Sequence, residues 1–126
     1  MTRTVVGLAA RERDVLSAMI ASGAPAPGDP VTPADRARWA ARVDATRDAE
    51  HCPCGACPTV DLCDARGRQP ALGGARVVLS AEADGLLALL FIDDDHPSRL
   101  EGAPVEDGLM MPVFPPSNHL VFDSFA

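Results

Sequence analysis

Four cysteines fall within twelve residues: His51-Cys52-Pro53-Cys54-Gly55-Ala56-Cys57 is followed by Cys63. Thiolates are soft metal ligands and nucleophiles, and four at this density can surround one ion. Pro53 and Gly55 favour a tight turn that points several sulfurs at one centre. Zn²⁺ takes four such ligands in a tetrahedron at about 2.3 Å from each sulfur. The expected metal ligands are therefore Cys52, Cys54, Cys57 and Cys63. Their spacing, Cys-x-Cys-x2-Cys-x5-Cys, differs from the common pair of well-separated Cys-x2-Cys knuckles.

Cys63 is the ligand that spacing supports least. Thr59-Val60-Asp61-Leu62-Cys63 alternates as a half-buried strand does, with Val60 and Leu62 inward. At about 3.3 Å per residue, Cys63 then stands roughly 13 Å beyond Thr59 and can hardly close a shell with the other three. In that arrangement the fourth ligand is His51 or His119, or the position is open. If the segment is a loop, all four sulfurs can close on one ion.

A structural zinc site leads the possible chemistries. A disulfide or redox-active thiol pair comes next, an iron–sulfur cluster after it, since the familiar ferredoxin spacings are absent. Cu(I) held by the Cys-x-Cys pair is a further candidate, and the remaining reading is a set of small cysteines that simply pack a tight turn. The C-x-C-G-x-C run leading into Thr59-Val60-Asp61-Leu62 resembles a group of small bacterial proteins with helices first and a short sheet after. The likeness covers Cys52 to Leu62, with support from Leu86 to Leu100. It implies that architecture and carries no activity.

Two helices, a cysteine loop and a sheet are expected to position these thiols. Leu8, Val15, Leu16, Met19 and Ile20 recur at helical spacing and Gly23 marks a stop. Residues 24–30, with three prolines, read as a connector. Thr32-Pro33-Ala34-Asp35 starts a second helix, with Thr as N-cap, running to about Ala49. Strands are expected at 59–63, at Arg76 to Ala81, at the apolar run Leu86 to Ile92, and as a short edge strand from Leu100 to Val105. Ala83-Asp84-Gly85 and Asp93 to Ser98 read as turns. The Pro-rich tail from Met110 reads as an irregular arm, anchored by Leu120-Val121-Phe122 and Phe125.

The fold class expected is thus α+β: two N-terminal helices (about 4–50), a cysteine loop (51–58), a small antiparallel sheet of 3–4 strands (about 59–105) and an arm (106–126), in one domain. At 126 residues and 47% hydrophobic content the chain can bury a core without disulfide staples. With one Trp, four Phe and no Tyr, that core must be mainly aliphatic.

Other chemistry-bearing residues read more plainly. Asp93-Asp94-Asp95-His96 lacks the alternating ligands of an EF-hand and suits a solvated hairpin turn. A nucleophilic pair of a cysteine with His96 or His119 has no support from spacing. Asp61, opposite Val60 and Leu62, is either a hydrogen-bonding partner of the cysteine turn or an outward residue. No phosphate loop, Gly-x-Ser-x-Gly or His-Glu-x-x-His is present.

The net charge of −7 argues against nucleic acid, whose binding leans on cationic contacts to phosphate. The charge is uneven: residues 1–76 carry +1 and residues 77–126 carry −8. No apolar run approaches the roughly 20 residues that span a bilayer. Nothing at residues 1–14 resembles a secretory signal, so a cytoplasmic location with reduced thiols is expected. The leading functional expectation is a small zinc-binding protein with an adaptor or regulatory role, leaning away from enzyme. An acidic inhibitor or immunity-type protein, binding a basic protein through Asp93–Asp95, Glu101, Glu106 and Asp107, is the first alternative. A thiol-based enzyme or redox sensor is the second. An edge strand near Leu100 leaves homo-oligomers open.

Overall fold

The structure, a computed structural model, describes residues 6–71, 73–106 and 108–122. In chain order its elements are β1 (Val6–Gly7), α1 (Ala10–Ser22), β2 (Ala24–Pro25), α2 (Pro33–Ala40), β3 (Arg47–His51), β4 (Val60–Cys63), β5 (Arg76–Ala83), β6 (Leu86–Asp93) and β7 (His96–Pro104). Short 3-10 turns lie at Val43–Ala45 and Ser117–His119. All seven strands join one antiparallel sheet in the order β1-β3-β4-β7-β6-β5-β2.

This corrects the expectation of a small sheet of 3–4 strands following the helices. Strands precede α1, separate the two helices and lead into the cysteines. β1 and β2 have two residues each, too short to show a period of two. The second helix stops at Ala40 rather than near Ala49. Beyond Val43 the segment Arg47-Asp48-Ala49-Glu50-His51 has no apolar stripe, so hydrogen bonding to β1 and β4 decides its conformation. The strand expected at Leu100 to Val105 begins at His96 and lies between β4 and β6, away from either edge.

The N-cap of α2 forms where the sequence places it. Thr32 Oγ1 accepts from the Asp35 N–H at 3.1 Å while Asp35 Oδ2 accepts from the Thr32 N–H at 3.0 Å, a reciprocal cap. Arg36 on α2 donates to the carbonyls of Ile20 and Gly23, satisfying orphan acceptors at the end of α1. α1 packs on β5 and β6 with Val15, Leu16, Met19 and Ile20 buried.

Leu86, Ala88, Leu90 and Ile92 alternate along β6 and meet Leu79, Ala81 and Ala83 of β5 and Leu100 of β7 in the core. The β5–β6 and β6–β7 turns place Asp84, Asp94 and Asp95 at positive φ, a conformation aspartate tolerates better than most side chains. The arm after β7 contributes buried Phe114 and Leu120 to the core and bridges Glu82 through Val121. Phe122 packs against the core, whereas Phe125 lies outside the described residues. Among the described residues no helix is long and apolar enough to cross a membrane.

Candidate metal centre

The cysteine segment is the loop of the β3–β4 hairpin. Its base is closed by the Cys52 N–H donating to the Thr59 carbonyl at 2.9 Å. Gly55 takes φ +71°, a left-handed bend that brings the following cysteine back over the preceding two. Two contacts dock the loop on β7: Thr59 Oγ1 accepts from the Gly102 N–H at 3.1 Å, and the Pro58 ring covers the bare Cα of Gly102. The arm adds a third, the Met111 N–H donating to the Ala56 carbonyl at 2.9 Å.

These constraints gather the sulfurs of Cys52, Cys54 and Cys57 within 4.8 Å of one another. Cys54 Sγ and Cys57 Sγ are 3.3 Å apart. Tetrahedral zinc thiolate requires about 3.8 Å between sulfurs, from its bond length of about 2.3 Å. Three sulfurs this close together are compatible with ligation of one ion.

The electrostatics of the loop favour at least one thiolate. The Ala56 N–H, 3.4 Å from Cys54 Sγ, lowers the Cys54 pKa to about 7, helped by hydrogen bonds from Cys52 and Cys57. The Cys54 backbone N–H favours the Cys52 thiolate, but hydrogen bonding with the other two sulfurs and burial outweigh it and push that thiol up. One sulfur carrying charge while its neighbours hold protons is the expected pattern for a metal-free thiol cluster. The four cysteines are thiols rather than disulfides.

Cys63, expected as a fourth ligand, does not join the group. It ends β4, opposite Arg47, while the cysteine loop lies at the other end of the hairpin. Its buried Sγ donates to the Arg47 carbonyl at 3.5 Å. Strand rise alone separates it from the loop.

Neither histidine weighed as a fourth ligand belongs to the thiol trio. His51 Nε2 lies 2.8 Å from Glu12 Oε2 and 3.4 Å from Asp48 Oδ2. His119 Nδ1 lies 2.7 Å from Asp84 Oδ2 at the β5–β6 turn. Asp61 pairs across the sheet with Arg99 at 3.0 Å.

The acidic turn is internally neutralised in part. Asp93 is buried and receives both Arg76 Nε at 2.7 Å and Arg76 Nη2 at 3.0 Å, with Ser98 Oγ at 2.7 Å. Asp95 accepts from Arg38 and from the indole N–H of Trp39. Arg76 holds the Asp93 carboxyl below the ordinary range, and Arg38 with Trp39 does the same for Asp95. Asp107, counted with the acidic surface, lies outside the described residues.

One cluster escaped the sequence reading. Glu12, Asp48 and His51 each bring a ligand atom within 4.8 Å of the others. Burial, with the hydrogen bond and charge of Glu12, raises the Asp48 pKa to about 7, against the opposing pull of His51. Residues 12 and 48 are far apart in sequence, and only the Asp48-x-x-His51 spacing hinted at a pair.

Comparisons with protein-family models, with curated proteins and with solved structures find no match to this chain.

Proposed function

We propose that this chain is a small metal-binding protein in which Cys52, Cys54 and Cys57 hold zinc as thiolates, in an adaptor or regulatory role. The convergence of three sulfurs on the tip of one hairpin carries the reading. Soft thiolates suit Zn²⁺ and Cu(I), and zinc is the ion that takes a tetrahedron without redox chemistry. The fourth vertex is left to water or to a donor from another molecule. Cys54 is exposed, so the thiol loop can be reached from solvent. The ion would cross-link the tip of the hairpin, which already docks on β7 and the arm.

Cobalt substitution tests the ligand set. Thiolate-to-Co²⁺ charge transfer grows with the number of bound sulfurs. The band should weaken in each of Cys52→Ser, Cys54→Ser and Cys57→Ser and persist in Cys63→Ser. A band that the three loop variants leave untouched would refute the assignment.

The 3.3 Å separation of Cys54 and Cys57 supports a second reading, a dithiol that exchanges with a partner disulfide. In that reaction Cys54 thiolate attacks the partner disulfide and expels one thiolate. Cys57 then displaces the second, leaving a Cys54–Cys57 disulfide and a fully reduced partner. Zinc-blocked alkylation favours the metal reading; a reversible intramolecular disulfide in metal-free protein favours the dithiol.

A further inference from the structure

The structure assigns Glu12, Asp48 and His51 as a second metal site, for a divalent cation of the Mn²⁺, Fe²⁺ or Zn²⁺ class. The donor set differs in kind from the thiol loop: two carboxylates and one imidazole, with Glu12 from α1 and the other two from β3. Such oxygens and nitrogens suit harder ions than three sulfurs do.

The backbone builds this group. In a regular strand residues three apart point to opposite faces. The register of β3 against β4 shifts between Asp48 and Glu50, an irregularity that lets Asp48 and His51 converge on Glu12. Bulges of this kind re-aim side chains beside functional sites.

Burial supplies a second, independent sign. Glu12 is 8% exposed and Asp48 9%, so two carboxylates share a desolvated space. Asp48 Oδ1 is buried with no hydrogen-bond partner among the described residues. Arg11, which lines the same hollow, sends Nη1 to the Phe114 carbonyl. A divalent ion would neutralise both carboxylates and satisfy the orphaned oxygen.

The group also opens onto space. A cavity of about 440 Å³ adjoins it, walled on its apolar side by Pro58, Pro112, Val113 and Phe114. Three protein ligands leave positions for water or a small oxygen-donor ligand in that cavity, as an ion with an open coordination sphere requires.

Mn²⁺ is the discriminating probe, because it ranks lowest among divalent first-row ions for N, O and S sites and suits carboxylate over thiolate. Titration of the full-length, metal-free protein, followed by loss of the free Mn²⁺ paramagnetic resonance signal, should show saturable binding. Water proton relaxation should rise on binding, reporting metal-bound water. Asp48→Asn and His51→Gln should each weaken binding more than about tenfold, whereas Cys54→Ser should leave it unchanged. His51 is half-exposed, so its variant should fold even if the Asp48 variant does not. Absence of saturable binding, indifference to His51→Gln, or loss in Cys54→Ser would each overturn the assignment. The result is independent of whether the thiol loop takes zinc.

Discussion

Pro58 occupies the space that a side chain on Gly102 would need: a Cβ at position 102 would come 2.4 Å from Pro58 Cγ. The glycine in the interior of β7 is therefore the seat of the cysteine loop. Its amide binds Thr59 Oγ1, and its missing side chain admits the proline that follows Cys57. Gly102→Ala should cost about 1–3 kcal/mol through overpacking. It should also speed alkylation of Cys57 as the loop lifts. Thermal denaturation and thiol kinetics check both; unchanged melting would mean that Pro58 gives way freely.

Cys54→Ser and Cys57→Ser should abolish the stabilisation that zinc confers while leaving the metal-free fold intact. The large core side chains lie outside the cysteine loop, in α1, α2, β4, β5, β6, β7 and the arm. The zinc-dependent rise in melting temperature expected of the native chain should be absent in both variants, because a ligand stabilises only the state that binds it.

Asp93 gives the acid limb of stability a defined origin. Its folded pKa lies below 3.8, so near that pH the folded chain binds fewer protons than the unfolded one. Stability from the Arg76 pair is then fully present above pH 3.8 and is lost as pH falls through the folded value. Asp93→Asn should lower stability at neutral pH by about 1–2 kcal/mol, discounted because Arg76 is half-exposed. It should also flatten the decline below pH 4. Denaturant unfolding across pH 2–7 reads both effects.

Trp39 reports on the β6–β7 turn. Its ring is 2% exposed, and its N–H has Asp95 Oδ1 as acceptor at 3.0 Å. Asp95→Ala should cost about 1–3 kcal/mol, because the indole N–H loses its acceptor. Asp95→Asn keeps an oxygen there and should cost less. Emission of this single tryptophan, followed through unfolding, measures both.

The sequence made the larger apolar elements legible and concealed the polar ones. α1, the cap at Thr32 and the β6 strand follow from spacing and composition, because apolar burial decides them. β3 carries no apolar alternation; it is a strand because β1 and β4 hydrogen-bond to it, a relation that local pattern does not encode. The three loop cysteines were legible because a short turn converts closeness in sequence into closeness in space. Cys63 was doubtful for the same reason, since a strand converts sequence distance into separation. Glu12 and Asp48 meet only through the packing of α1 over the sheet and an irregularity in β3.

Zinc content of the native chain and of Cys54→Ser, purified without oxygen or immobilised nickel and measured by elemental mass spectrometry, tests the central claim most directly. The account predicts that the native chain carries about one more equivalent of zinc than the variant, from a colourless sample. Equal zinc content in the two, or visible bands with iron in the native chain, would contradict it.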